Sequence, residues 1–203
     1  MKRLIVGIVD YGIGNYASLQ HTLNKNGQRC RISQDHNILN ECDILLLPGV
    51  GAFRPAMEAL KKRGLDSFLL QQARFKRPIL GICLGMQLLA DGSYEDGYTK
   101  GLGLIPGEII SLNNPRWHIG WNEIEILKND ILFKPSKKKS FYFNHSYTYQ
   151  GPDEFQVCMS MSNKRIISAI RREKIVGVQF HPEKSQLAGS TLLNHLFREI
   201  CHA

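Results

Sequence analysis

The sequence has few cysteines, and none of them stand in the short paired spacings of a disulfide framework. Five cysteines among 203 residues favour a reducing compartment over a secreted, cross-linked protein. No apolar run approaches the length of a membrane span. Residues 1–3 (Met-Lys-Arg) have the charge of a signal peptide, but the apolar run from Leu4 is broken at Gly7 and ends at Asp10. We therefore expect a cytoplasmic protein without a leader or a membrane anchor.

Internal repeats, low-complexity tracts and a linker are also absent from the sequence. A length of 203 residues and a mass of 23.1 kDa suit one α/β domain spanning residues 1–203. The formal net charge is +8, with basic runs at 134–139 and 171–174. These runs lack the interleaved aromatic residues of a nucleic-acid-binding module, so no nucleic-acid partner is expected. A solvated basic face and steering towards an acidic protein partner both remain open.

Strands and helices alternate in the first half of the sequence. Apolar runs predict strands at 4–9, 28–33, 43–47 and 78–82, with helices beginning at 15, 53 and 65 and after 83. The second half has short strand-like runs at 109–112, 123–127, 141–144 and 175–180, followed by a helix at 190–200. This pattern predicts a doubly wound, mainly parallel, flavodoxin-like α/β sheet with additional antiparallel strands. The carboxyl ends of its strands would bring together Asp10, Gly51, Cys83 and His181.

A cysteine at a sharp turn carries the clearest chemical signal. Residues 81–85 read Gly-Ile-Cys-Leu-Gly between an apolar run and a helix-like segment, which is the pattern of a nucleophile elbow with Cys in place of Ser. The glycines permit a tight turn beside a neighbouring strand, and the following helix N-terminus favours a thiolate. Cys83 is therefore the candidate nucleophile. A buried structural cysteine is the alternative for this motif taken alone.

A thiol nucleophile needs an imidazole to carry its proton and an acceptor to orient that imidazole. Residues 180–183 (Phe-His-Pro-Glu) offer His181 and Glu183, whose side chains leave the same face of an extended segment. A surface histidine beside a solvated glutamate is the alternative. His-x-Glu also opens the zinc deaminase signature, but that signature needs a later Pro-Cys-x-x-Cys and only Cys201 follows here. No metal site is expected.

The third requirement of acyl transfer is a pair of donors for the oxyanion. The backbone N–H of Leu84 comes with the elbow. The buried strand at 43–47 ends in residues 48–53 (Pro-Gly-Val-Gly-Ala-Phe), where glycines on both sides of Val50 let backbone amides point into a site. We expect the second donor at the Val50–Gly51 peptide. An ordinary strand-to-helix connection is the alternative.

Together, residues 48–51, 81–87 and 180–183 resemble the three signatures of the triad-type (class I) glutamine amidotransferases. Within that family, further segments resemble the glutaminase subunits of imidazole glycerol phosphate synthases. They are 10–15 (Asp-Tyr-Gly-Ile-Gly-Asn), 49–53, 101–107, 118–122 (His-Ile-Gly-Trp-Asn) and 145–147 (His-Ser-Tyr). The resemblance covers essentially the whole chain.

The resemblance implies hydrolysis of glutamine to glutamate and ammonia without a cofactor. Cys83 would attack the carboxamide, His181 would carry the proton, and Glu183 would orient His181. It implies an oxyanion hole formed by Val50, Gly51 and Leu84. It also implies a glutamine-binding wall of Gln87, His145, Ser146 and Tyr147. The implied partner interface contains Asn15, Trp121, Tyr142 and Lys184.

The resemblance further implies a heterodimer with a (βα)8-barrel cyclase subunit that receives ammonia through an internal tunnel. The products would be imidazole glycerol phosphate and the purine precursor AICAR, in histidine biosynthesis. One segment departs from the family, because Arg116-Trp117-His118 stands where Val-Pro-His is usual, with Pro115 one position early. The departure leaves a close alternative, a paralogous subunit that supplies ammonia for amino or amidino sugars of surface polysaccharide.

A rival interpretation comes from residues 12–17 (Gly-Ile-Gly-Asn-Tyr-Ala), which satisfy the dinucleotide-binding fingerprint after a first strand. Asp35 would then be the ribose-binding acid of a nicotinamide-dependent oxidoreductase. Asp10 would repel a pyrophosphate at this turn, and the fingerprint leaves Cys83 and His181 unexplained. A binding-only pseudoenzyme is disfavoured, because all three positions of the triad are filled.

Overall fold

The computed structural model describes residues 4–113, 116–136, 139–161 and 165–201. Two sheets contain its thirteen strands. They are β1 (Ile5–Val9), β2 (Arg29–Ser33), β3 (Ile44–Leu47), β4 (Ile79–Ile82), β5 (Gly92–Ser93), β6 (Thr99–Lys100), β7 (Glu108–Ser111), β8 (His118–Ile126), β9 (Ser140–His145), β10 (Tyr147–Gln150), β11 (Gln156–Met161), β12 (Arg165–Arg172) and β13 (Ile175–Val178).

The main sheet has nine strands in the order β2-β1-β3-β4-β13-β12-β11-β8-β9. The first five are parallel, and the remaining pairings, from β13–β12 to β8–β9, are antiparallel. A second sheet of four short strands has the order β10-β7-β5-β6. The predicted doubly wound sheet with antiparallel additions is confirmed, and its antiparallel part is as extensive as its parallel part.

Helices cover both faces of the parallel strands, which explains why these strands are continuous apolar runs rather than alternating ones. The helices are α1 (Tyr16–Lys25), α2 (His36–Asn40), α3 (Phe53–Lys62), α4 (Leu65–Arg74), α5 (Leu84–Leu88) and α6 (Gln186–Glu199). Leu19 of α1 and Phe197 of α6 belong to the core on one face of the sheet. Phe53 of α3 and Leu69 of α4 belong to the core on the other face.

Strand β4 lies inside the parallel part of the sheet, between β3 and β13. All four of its residues are buried, and its register places Ile82 beside Val178. The residue after each of these strands therefore emerges at the same edge of the sheet. Within the described ranges, no helix has the length and apolar character needed to cross a membrane.

Candidate active site

Cys83 occupies a strained turn between β4 and α5. Its backbone has φ 53 and ψ −112, a conformation rarely adopted by a residue with a side chain, and its N–H donates to the Val178 carbonyl at 2.8 Å. The side chain is 6% exposed at the edge of the sheet. Strain of this kind is concentrated at functional sites, where the surrounding structure enforces it. The geometry is that of the expected elbow.

Close packing explains the glycine two positions after the nucleophile. A Cβ on Gly85 would lie 1.8 Å from the Leu47 carbonyl oxygen, so any larger residue would push α5 away from β3. The short helix can therefore approach the sheet only with glycine at this position. This approach sets the direction in which Cys83 and the N–H of Leu84 face.

His181 and Glu183 meet next to this turn. His181 Nδ1 lies 2.8 Å from Glu183 Oε1, and both side chains are nearly fully buried. The sequence predicted an extended segment for these two residues. That prediction is wrong, because Pro182–Lys184 forms a 3₁₀ turn. The turn is fixed by Ser185, whose hydroxyl donates to the His181 carbonyl (2.6 Å) and accepts from the Tyr142 N–H (2.9 Å).

The surroundings of His181 favour its protonated form. Burial lowers the pKa of the imidazole, but hydrogen bonds and charge interactions with Cys83 and Glu183 outweigh burial and raise the pKa to about 10. His181 is thus hydrogen-bonded to Glu183 and lines the same cavity as Cys83. An imidazolium beside a thiolate is the ground state that cysteine nucleophiles use.

A cavity of about 270 Å³ opens over these side chains. It is lined by Cys83 and His181 and by all seven residues expected in the oxyanion hole and the glutamine-binding wall. Val50 is 39% exposed, and Gly51 has φ +90, a conformation that favours glycine. The structure therefore brings these nine predicted residues to one cavity, and Glu183 joins them through its hydrogen bond to His181. Its size is near the lower end of the range for small-molecule sites.

Glu95 and Asn144 also line the cavity, and sequence reasoning missed both. Glu95 Oε2 accepts a hydrogen bond from the Phe53 N–H (2.8 Å) at the start of α3. Its own N–H donates to the Ser93 hydroxyl (3.1 Å). The position of Glu95 depends on how the loop after β5 lies against α3, so no short motif marks it. The carboxylate is an acidic group on the cavity wall.

Buried hydrogen bonds support the wall behind the cavity. His145 Nδ1 donates to the Tyr147 carbonyl (2.8 Å), so its Nε2 accepts from His118 Nδ1 at 2.8 Å. Burial lowers the pKa of His118 to about 4 and that of His145 to about 3, which keeps both rings neutral. Both ring nitrogens of His145 are thus used within the protein. His145 supports the wall rather than offering a free donor to a ligand.

Three of the four residues expected at a partner interface lie beside this site. Trp121 and Tyr142 pair across β8 and β9 with ring centroids 6.1 Å apart, and Lys184 Nζ lies 5.9 Å from the Tyr142 ring centroid. Asn15 caps α1 by accepting from the Ser18 N–H. Trp117, in the segment that departs from the family pattern, and Ile119 are also exposed, at 59% and 61%. Pro115 lies outside the described residues.

The segment with the dinucleotide fingerprint is occupied by interactions within the protein. The Gly12 N–H donates to Asp10 Oδ1 (3.0 Å) and to the Tyr16 hydroxyl (3.1 Å), so it does not face a free anion site. Asp35 caps α2 by accepting from the Asn37 N–H (2.8 Å). These contacts argue against the oxidoreductase interpretation. The described ranges contain no cluster of side chains suited to a metal ion.

Comparisons with known proteins agree with this geometry. The family model for class-I glutamine amidotransferases matches residues 7–200. Imidazole glycerol phosphate synthase subunit HisH 1 of Campylobacter jejuni strain 81-176 is 41% identical over 200 residues, which cover 96% of this chain and all of that protein. The HisH subunit of Listeria innocua is 40% identical over 200 residues, covering 97% of this chain and 96% of that one.

Solved structures share the fold at low sequence identity. PurLQS from Thermotoga maritima has a TM-score of 0.77 and 20% identity, covering 98% of this chain and all of the matched chain. A glutamine amidotransferase from the same organism has a TM-score of 0.73 and 16% identity over the full length of both chains. At such identities these structures show the fold alone.

Proposed function

Since this chain belongs to the class-I glutamine amidotransferase family, and within it to the HisH subunits of imidazole glycerol phosphate synthase, we propose that it hydrolyses glutamine with a Cys83–His181–Glu183 triad. We propose further that residues 1–203 form one such domain and that it delivers ammonia to a cyclase subunit. The observation that carries the proposal is that Cys83 and His181 line one cavity, with His181 hydrogen-bonded to Glu183.

The reaction begins with attack of the Cys83 thiolate on the carboxamide carbon of glutamine. The electron pair moves to the carboxamide oxygen, which accepts hydrogen bonds from the backbone at Leu84 and at the Val50–Gly51 peptide. Collapse of this intermediate breaks the C–N bond, and protonated His181 gives its proton to the departing nitrogen. The products of this half-reaction are ammonia and a glutamyl thioester on Cys83.

Water completes the cycle. Neutral His181 takes a proton from water as it attacks the thioester carbon, and the C–S bond breaks to release glutamate and regenerate the thiolate. Glu183 accepts a hydrogen bond from Nδ1 throughout and stabilises the positive charge that returns to the ring. All of these proton transfers are completed by side chains of this chain.

Charge on the cavity wall supports recognition of a free amino acid. Glutamine carries an α-ammonium group that needs a carboxylate partner once it leaves bulk water. Glu95 supplies that carboxylate, and its second contact, the Phe53 N–H, holds it in place. Gln87, Ser146 and Tyr147 form further wall positions for the rest of the substrate.

An exposed aromatic surface next to the cavity supports the proposed partner. Trp121 is 48% exposed, and Trp117 and Ile119 add large apolar side chains near it. Ammonia released into water is protonated and lost as a nucleophile, so a cyclase subunit docked here would receive it directly. Arg116 stands where the family usually has Val, so it adds a positive charge to this edge, and its Cζ lies 5.5 Å from the centroid of the Trp117 ring. For that reason an amino- or amidino-sugar enzyme remains the second candidate partner.

The decisive experiment replaces the nucleophile in the complex with its partner. We expect Cys83→Ala to lower glutamine-dependent synthesis by several powers of ten, as loss of a triad nucleophile does, and to leave ammonia-dependent synthesis intact. Cys158→Ala is the matched control, because Cys158 is also buried but lies away from the cavity on β11. Glutamine hydrolysis retained by Cys83→Ala would refute the triad. Comparing the cyclase with the sugar enzyme as partner identifies the pathway.

A further inference from the structure

Gln179 is fully buried, and its side-chain amide reaches the sulfur of Cys83. Nε2 of Gln179 lies 3.8 Å from Cys83 Sγ. The contact follows from the sheet register. Val178 pairs with Ile82 at the ends of β13 and β4, so Gln179 and Cys83, which follow them, lie side by side. The Gln179 N–H also donates to the Ser168 carbonyl at 2.9 Å, which fixes its backbone.

Gln87 determines which end of this amide faces the sulfur. Its Nε2 lies 3.4 Å from the Tyr147 carbonyl oxygen and 3.1 Å from Gln179 Oε1. A carbonyl oxygen can only accept, so Gln87 presents its NH₂ group on this side. Gln179 must then turn its oxygen towards Gln87, which leaves its own NH₂ group facing Cys83. The opposite orientation would place two NH₂ groups together and an oxygen against the sulfur.

We propose that Gln179 is a further catalytic residue, whose amide N–H donates to Cys83 Sγ, stabilises the thiolate and aims it at the carboxamide carbon. This proposal rests on the proposed function, because it requires Cys83 to be the nucleophile. A hydrogen bond to an ionised acceptor is stronger than one to a neutral acceptor, so the donor favours the thiolate over the thiol. Together with His181, Gln179 gives the sulfur a second side-chain donor.

The titration of Cys83 reports this interaction directly. Rates of alkylation by iodoacetamide are measured against pH on the full-length chain, with the peptide that contains Cys83 quantified by mass spectrometry. The titratable groups around the thiol are His181 and Glu183 of the turn after β13, Tyr11 after β1, and Glu95, His145, Tyr147 and Lys184 around the cavity. The variants below leave all of these groups unchanged.

Two variants remove the donor, and one tests the effect of losing a buried glutamine elsewhere. For Gln179→Met we expect the alkylation midpoint to rise by about one pH unit, equivalent to a tenfold lower thiolate fraction at pH values below both midpoints. For Gln179→Glu we expect a larger rise, because a carboxylate then faces the sulfur. Gln72→Met is the control, since Gln72 is also buried and hydrogen-bonded, on α4. Its midpoint should equal that of the unmodified chain.

Turnover separates this role from a structural one. In the complex, Gln179→Met should lower kcat for glutamine by up to about tenfold at pH values below the shifted alkylation midpoint, with KM unchanged, and a pH above that midpoint should restore the rate. A measurement without substitution guards against misfolding of the variants. In the unmodified chain, the chemical shifts of the Gln179 NH₂ protons should change with pH at the same midpoint as Cys83 alkylation. In Cys83→Ala these shifts should not change over that pH range.

The outcomes distinguish this proposal from the one it rests on. Two results would overturn the role of Gln179 alone. They are an unchanged alkylation midpoint in folded Gln179→Met, and Gln179 NH₂ chemical shifts that do not change at the Cys83 midpoint. Glutamine hydrolysis retained by Cys83→Ala would instead overturn the proposed function. A raised midpoint with an unchanged Gln72→Met control supports the donor.

Discussion

The Nδ1 atom of His181 lies 2.8 Å from Oε1 of Glu183, with both side chains almost completely shielded from solvent. Because a carboxylate can only accept, Nδ1 carries a proton and Nε2 is left for Cys83. The two residues are two positions apart at one 3₁₀ turn. The turn alone therefore brings their side chains together. The turn itself is attached to β9 through Ser185 and Tyr142.

This relationship predicts different costs for the two residues. His181→Ala should lower kcat for glutamine by about 10⁶, comparable with loss of the nucleophile, because it removes the proton carrier. Glu183→Gln should cost about 10⁴, since the amide oxygen still accepts from Nδ1 but no longer stabilises its charge. Glu125→Gln, at an exposed position on β8, is the control. A harmless Glu183→Gln beside an essential carboxylate elsewhere would mean that the third member is misassigned.

The oxyanion loop predicts that the partner controls activity. Val50 is exposed, and the φ of +90 at Gly51 shows that the peptide between them uses glycine's freedom. Rotation of this peptide would remove one oxyanion donor, which costs a factor of about 10² to 10³ in rate. We expect the isolated chain to be nearly inactive and the acceptor-loaded partner to raise glutamine turnover by at least that factor. Full activity of the chain alone in steady-state assays would contradict this control.

The packing of the elbow predicts a large effect on stability from one methyl group. In Gly85→Ala the new Cβ would lie 1.8 Å from the Leu47 carbonyl oxygen, so α5 must move, and we expect a loss of about 3 kcal/mol or more. Gly27→Ala is the control, because its Cβ meets open space and only the φ of +72 adds strain, about 1 kcal/mol. Urea denaturation measures both. Equal losses would show that the elbow is not tightly packed.

The His118–His145 pair predicts sensitivity to acid. Burial holds the pKa of both rings well below the ordinary value of 6.5, at about 4 and about 3, so the unfolded chain binds their protons more readily. The contribution of neutral His118 and His145 to the free energy of unfolding is complete above pH 6.5 and is lost as the pH falls towards 4. In His118→Gln, which keeps a donor for His145, the free energy of unfolding should fall less steeply over that range. A slope equal to the unmodified protein's would contradict the prediction, and exposed His21→Gln serves as control.

The parallel half of the sheet could be predicted because its strands are buried on both faces. Strands β3 and β4 are unbroken apolar runs, and glycines mark the turns that follow them. The second sheet was not predictable in the same way, because β5 and β6 have two residues each and no periodic pattern. Helix α2 was also missed, because its five residues are too few to show a helical periodicity.

Some residues of the reaction site could likewise be predicted from the sequence, and others could not. Cys83, His181 and Val50 stand in local motifs whose residue types their chemistry requires, so sequence reasoning could name them. Glu95 reaches the cavity through tertiary packing, and Gln179 reaches the Cys83 sulfur through the sheet register. Side chains that support a site from behind are therefore visible only in the folded molecule.

The central claim is that Cys83 is the group that attacks glutamine. A glutamine analogue with a diazoketone in place of the carboxamide alkylates a site nucleophile irreversibly, and peptide mass spectrometry of the inactivated complex then locates the adduct. We predict one adduct per chain, on Cys83, formed in step with loss of glutamine hydrolysis and prevented by excess glutamine. Inactivation with the adduct on another residue, or with Cys83 unmodified, would contradict the account.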